Sequence, residues 1–100
     1  MPESKYIISV RAKTDIKAIA KYTIHQFGER QSLKYAVGLK TALENLAINP
    51  DLGKRYVAVK NKMLFRYRYK SHVIFYYTIE EGIFIVRVLG GMMNFSKHLK

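Results

Sequence analysis

The side chains able to do chemistry in this chain are basic and aromatic, and they crowd into its second half. Arg66, Tyr67, Arg68 and Tyr69 alternate along one short stretch, His72 follows, and Tyr76, Arg87 and the closing Lys97-His98-Leu99-Lys100 come later. Arginine and lysine hold phosphates and tyrosine offers a face on which bases stack, so the set suits binding of a nucleic-acid strand. The same residue types suit metal-free RNA cleavage, with a histidine or lysine as acid or base and arginines on the transition-state charge. A plainer reading stands beside both, in which the tyrosines, Tyr76 and Tyr77 above all, fill a core and the cations are solvated.

Other chemistries find no support. His25, His72 and His98 lack the i,i+4 spacing of a helical metal site, and the chain has no cysteine to join them. No serine lies in a G-x-S-x-G elbow. Gly90-Gly91 runs into Met92-Met93 rather than Lys-Ser, so it is not a phosphate-binding loop. Glu80 and Glu81 are neighbours in a turn and point apart. Neither a metal, a cofactor nor a catalytic residue is expected.

Charge narrows the partner. A formal net charge of +11 over 100 residues implies an anionic partner, either nucleic acid or an acidic protein surface. No acidic residue occurs from Leu52 through Ile79, whereas Lys54, Arg55, Lys60, Lys62, Arg66, Arg68 and Lys70 all fall there. The positive field is therefore concentrated where the chain enters its main sheet.

That sheet must position these groups. Leu64–Tyr69, His72–Ile79 and Ile83–Leu89 are rich in Val, Ile, Phe and Tyr and read as an antiparallel meander. Gly82 supplies the positive φ that a short hairpin loop with a bulge requires. Alternation puts Leu64, Arg66 and Arg68 on one face and Phe65, Tyr67 and Tyr69 on the other. The last two runs are apolar at nearly every position, as strands covered on both faces are. Arg87, a lone cation within that apolar strand, is expected to have a partner.

Upstream, Lys5 to Val10 reads as a first strand. A helix is expected from Thr14 or Asp15 to Phe27, burying Ile16, Ile19, Ala20, Thr23 and Phe27, with Gly28 as its stop. A second helix runs from Glu29 to Ala47 and buries Tyr35, Ala36, Leu39, Ala42, Leu43 and Leu46, and Asn49-Pro50 ends it. Asp51 to Met63 reads as a basic loop with one apolar patch at Tyr56–Val59. Beyond a hinge at Gly90-Gly91, Met92 to Lys100 makes a short terminal helix with an apolar side of Met92, Met93, Phe95 and Leu99. The order β-α-α-β-β-β defines a single α+β domain spanning residues 1–100, with an antiparallel helical hairpin packed on a small antiparallel sheet. No apolar run approaches the ~20 residues that span a bilayer. The first residues lack the apolar core of a secretory signal, so a cytoplasmic location is expected.

Tyr6, Ser9, Ala12, Asp15-Ile16, Ile19 and Tyr22 follow the pattern Y-x-x-S-x-x-A-x-x-D-L-x-x-I-x-x-Y. Phe27-Gly28, Leu46-Ala47, Pro50, Leu52-Gly53, His72-Val73-Ile74-Phe75-Tyr76 and Arg87-Val88-Leu89 continue it in order. In this order of residues the chain resembles the ParE branch of the ParE/RelE toxins of bacterial type II toxin–antitoxin modules. The resemblance implies a non-enzymatic toxin that inhibits DNA gyrase and replication. It further implies neutralisation by an acidic antitoxin of the ParD kind, in a toxin–antitoxin hetero-oligomer. RelE-like relatives instead cut messenger RNA on the ribosome, using basic and aromatic residues near the C-terminus, and here those positions read Gly90-Gly91-Met92-Met93-Asn94. ParE-like chains commonly carry His, Arg and Asp where this one has Gly90, Met92 and Asn94. Arg66, Arg68, Tyr69, His72, Arg87, Met92, Asn94, Lys97 and His98 are the candidate antitoxin- or target-binding residues. A ribosome-dependent endoribonuclease and a plain nucleic-acid-binding module remain the alternatives.

Overall fold

The computed structural model describes residues 5–99; residues 1–4, and Lys100 at the end of the expected terminal helix, lie outside them. The elements are β1 (Lys5–Ile8), α1 (Val10–Phe27), α2 (Glu29–Ile48), β2 (Lys54–Val59), β3 (Lys62–Tyr69), β4 (His72–Ile79), β5 (Gly82–Gly90) and α3 (Phe95–Leu99), with a 3₁₀ turn at Pro50–Leu52. The strands form one sheet in the order β1-β5-β4-β3-β2. From β2 to β5 it is an antiparallel meander, and β1 adds to β5 in parallel.

The sheet is buried where the sequence is most apolar. Val73, Ile74, Phe75 and Tyr76 of β4 are all buried, because both faces of this strand are covered. Ile74, Tyr76, Ile83, Ile85 and Val88 pack against Ala12 and Ile19 of α1 and against Leu39, Leu43 and Leu46 of α2. On the other face Leu64, Val73, Phe75 and Leu89 meet Phe95 and Leu99 of α3. The bulge between Ile85 and Arg87 shifts the pairing with β4, so Val88 joins Ile83 and Ile85 on the helix face.

Turn chemistry sets the connections. Gly28, with φ of 87°, ends α1 by donating its N–H to the Ile24 carbonyl, and its own carbonyl accepts from Ser32 to start α2. Gly82 has φ of 153°, and a Cβ there would lie 1.8 Å from the Lys5 carbonyl oxygen. Only glycine lets β1 approach β5 at that point.

Three expectations are corrected. The Asp51–Met63 stretch contains a further strand, β2, so the order is β-α-α-β-β-β-β. Its alternation was hidden by a register irregularity between Arg55 and Ala58, and its turn, Lys60-Asn61, takes positive φ without a glycine. Second, β1 stops at Ile8 and α1 begins at Val10, because the Ser9 hydroxyl caps the helix by accepting from the Ala12 N–H. Third, Phe27 and Ala36 are exposed rather than part of the buried stripes, whereas Ala12, in the turn gained by the early start, is fully buried.

Candidate functional site

The candidate residues fall into three groups on different parts of the molecule. Arg66 and Arg68 stand on the sheet face opposite the helical hairpin, as the alternation of β3 requires. With Lys54 of β2, Leu52, Tyr67 and Val73 they line an open groove of about 380 Å³. Lys54 and Arg66 are direct cross-strand partners. The Arg66 guanidinium lies 5.6 Å from the centre of the Tyr56 ring. Arg68 donates weakly to the Lys70 carbonyl at 3.4 Å and rests on Gly91, where a Cβ would come within 2.7 Å of its guanidinium. A side chain at Gly91 would displace the end of Arg68 from this position.

Tyr69 and His72 are on the opposite, helix-covered face. They meet Tyr35 of α2, whose hydroxyl pairs with His72 Nδ1. The Tyr69 hydroxyl donates to the Tyr35 carbonyl at 3.3 Å, and the two rings pack edge to face at 5.0 Å. Gly38 lets this happen, since a Cβ there would meet the Tyr69 hydroxyl at 2.0 Å. Burial pushes the Tyr35 phenol up to about 12, with Tyr69 adding to the rise, and burial lowers the His72 imidazole below its usual range. The cluster keeps its phenols and its imidazole neutral. Lys70 covers both tyrosine rings, at 5.9 Å and 5.8 Å from their centres.

Arg87 has the structural partner its setting demands. Its Nε donates to Asp15 Oδ2 at 2.7 Å, one Nη to Asp15 Oδ1 at 2.8 Å, and the other Nη to the His98 carbonyl at 3.0 Å. Asp15 Oδ2 also accepts from the Val88 N–H at 3.0 Å. β1 stops short of this part of β5, so Ser9 and Asp15 take over the ladder positions that a longer strand would have filled; the Ser9 hydroxyl donates to the Val86 carbonyl. One arginine therefore ties α1, β5 and α3 together.

The terminal candidates surround this strut. Met92 is wholly exposed, and Asn94 and Lys97 are exposed as well. Asn94 Oδ1 accepts from the Lys97 N–H and so opens α3, while His98 is half-buried with its carbonyl held by Arg87. The Gly90-Gly91 turn, expected as a hinge, is pinned: the Gly91 N–H donates to the Ser71 carbonyl and the Met93 N–H to the Gly90 carbonyl. Between α1 and this turn runs a mainly apolar groove of about 260 Å³, lined by Ala18, Ile19, Tyr22, His72, Val88 and Met93 among others.

Residues 6–95 match the family described as the ParE toxin of type II toxin-antitoxin systems, parDE. The chain belongs to the ParE toxin family. It is 33% identical over 94 residues to Toxin ParE1 of Caulobacter vibrioides, covering 94% of this chain and 96% of that one. Toxin ParE1 of Mycobacterium tuberculosis is 29% identical over 97 residues, covering 96% of this chain and 98% of its own. Among solved structures, a chain of the chromosomal ParDE TA system from P. aeruginosa superposes with a TM-score of 0.71 over 90% of this chain and 98% of its own, at 15% identity. The ParE toxin fold is therefore kept here across a wide divergence of sequence.

Three features of this toxin are not legible in the sequence. Along the chain Lys54 reads as part of a loop, and only the pairing of β2 with β3 sets it opposite Arg66. Tyr35 reads as core from its helical spacing, and nothing in the period of α2 signals that its hydroxyl reaches β4. Tyr22, Phe27, Leu33 and Val37 are large apolar residues that the helical hairpin leaves exposed. In sequence Phe27 reads as part of the buried stripe of α1, whereas Tyr22, Leu33 and Val37 lie outside the stripes of their helices.

Proposed function

We propose that this ParE toxin inhibits DNA gyrase without enzymatic turnover and is neutralised by a cognate acidic antitoxin of the ParD kind. Membership of the ParE family over residues 6–95 carries this reading. The disposition of the candidate residues supports the non-enzymatic part. Metal-free RNA cleavage needs an acid or base beside cations that stabilise the transition state. His72 is on the helix face of the sheet, tied to Tyr35, whereas Arg66 and Arg68 are on the opposite face. His98 is engaged in α3 through its backbone, and His25 lies on the exposed side of α1. His72 therefore does not converge with Arg66 and Arg68.

The antitoxin finds what an acidic segment that folds on binding requires: apolar anchors for its hydrophobic side chains and cations for its carboxylates. The groove beside Tyr22 and Met93, with the exposed Phe27, Leu33 and Val37, supplies the first, and the surplus of lysine and arginine supplies the second. Met92, Asn94 and Lys97, at the exposed end of the molecule, are left to meet gyrase. The toxin works in the cytoplasm, where gyrase and its DNA are; no described helix is long and apolar enough to cross a membrane.

The test is a pair of assays on purified toxin. Supercoiling by gyrase is expected to fall while cell-free translation continues, and an equimolar acidic antitoxin is expected to restore supercoiling. Inhibited translation with unaffected supercoiling would refute the proposal in favour of the ribosome.

A further inference from the structure

The basic groove on the open face of the sheet holds three cations that nothing in the described structure neutralises. Lys54 and Arg66 stand directly opposite each other across β2 and β3, and Arg68 follows on the same face of β3. Like charges in a cross-strand pair are destabilising. Among the described residues the only ion pair is Arg87–Asp15, and it lies outside this groove. The guanidinium of Arg68 is nonetheless held in place, by the Lys70 carbonyl and by the absence of a side chain at Gly91.

We infer that this groove binds the phosphodiester backbone of a nucleic-acid strand, so that the toxin itself contacts nucleic acid. The inference goes beyond gyrase inhibition and does not depend on it. Arg66 and Arg68, two residues apart on one strand, are about 6.8 Å apart along the sheet. That separation is close to the distance between neighbouring phosphates of an extended strand, and Lys54 doubles the charge at one of the two positions. β3 is flanked by β2 and β4, so its backbone is spent and only side-chain charge reaches a ligand. An acidic peptide fits less well, because ordering it requires apolar burial. As apolar lining the groove offers Leu52, the half-buried ring of Tyr67 and the already buried Val73, which is little for a folding peptide. A nucleic-acid strand needs no such burial, since release of its counterions drives binding.

Fluorescence anisotropy on the full-length toxin, without gyrase, tests this with labelled single-stranded DNA, duplex DNA and single-stranded RNA of mixed sequence. Three phosphate contacts give a slope of log affinity against log salt of roughly −2 for a single strand and −2.7 for a duplex. Single-strand affinity is then expected to fall about 20-fold between 50 and 200 mM salt. Arg66→Gln, Arg68→Gln and Lys54→Gln are each expected to flatten the slope by roughly 0.7. Gly91→Ala is expected to weaken binding with no change of charge and an unchanged melt, because only the flexible end of Arg68 has to move. Absence of binding at low salt overturns the inference, as does binding that all three glutamine variants leave unchanged. Displacement of the probe by polyglutamate at charge concentrations below those of unlabelled DNA also overturns it, in favour of an acidic protein. Because gyrase is absent, these outcomes are independent of whether supercoiling is inhibited.

Discussion

Replacing Asp15 by alanine removes the acceptor on which α1, β5 and α3 converge. Three hydrogen bonds disappear, from Arg87 Nε at 2.7 Å, Arg87 Nη at 2.8 Å and the Val88 N–H at 3.0 Å. The Arg87 and Asp15 side chains are only 13% and 12% exposed, so water replaces these bonds poorly. Arg87 would keep a single carbonyl acceptor, and the Val88 N–H would have none. Breaking a buried pair in this way costs about 3–5 kcal/mol, and the residual exposure argues for the lower end. For a domain of this length each 1 kcal/mol shifts the melting temperature by roughly 4–8 °C, so about 3 kcal/mol lowers Tm by roughly 12–24 °C. The cost comes largely from the stranded guanidinium, which sets up a second measurement. Asp15→Ala combined with Arg87→Leu is expected to be more stable than the sum of the two single changes predicts, because no buried charge is left unpaired. Melts followed by circular dichroism, with urea unfolding as a check, give both values. An Asp15→Ala protein within about 0.5 kcal/mol of the parent, the range of an ordinary surface change, would refute the strut. Strict additivity of the two changes would refute the explanation of its cost.

Two further outcomes follow from the sheet and its helix-covered cluster. Gly82→Ala brings a Cβ within 1.8 Å of the Lys5 carbonyl oxygen, where backbone has to move, and is expected to cost about 1–3 kcal/mol. Amide exchange should locate the damage in β1, at the Lys5 and Ser9 N–H groups that donate to the Glu81 and Ile85 carbonyls; unchanged protection there would disprove the close approach. The second concerns pH. Burial lowers the His72 imidazole, so between its folded value and the usual value of about 6.5 the unfolded chain binds the extra proton. Stability from this group is complete above about pH 6.5 and is lost as pH falls through the lowered folded value. His72→Gln is expected to reduce the loss of stability between pH 7.5 and pH 5, and an equal loss in both proteins would contradict the assignment.

Much of this architecture could be read along the chain because its signals are local. The period of α1 and α2, the stop at Gly28 and the apolar runs of β4 and β5 each follow from residues within a few positions of one another. The strand β2 did not announce itself. As an edge strand it buries little, its register breaks between Arg55 and Ala58, and its turn uses Lys60 and Asn61 with φ of 50° and 68°. The early start of α1 rested on one hydroxyl, Ser9, whose capping role competes with a reading as the end of a strand. The resemblance to ParE toxins had included Ser9, Ala12 and Asp15 as a bare pattern. In the fold they become a helix cap, a core residue and the partner of Arg87.

The sequence by itself determined the element types apart from β2, the two-sided burial of β4 and β5, the uncompensated positive charge and the need of Arg87 for a partner. Each of these depends on composition or on short-range spacing. Which partner Arg87 takes, 72 residues away in the chain, was decided only by the tertiary structure. So was the division of the candidate residues between two faces, with Arg66 and Arg68 in the open groove and His72 beneath α2 beside Tyr35. Alternation assigns a residue to one side of its strand. Only the packing of helices on one face, and of α3 across part of the other, determines which side meets solvent and which charges are left to meet a ligand.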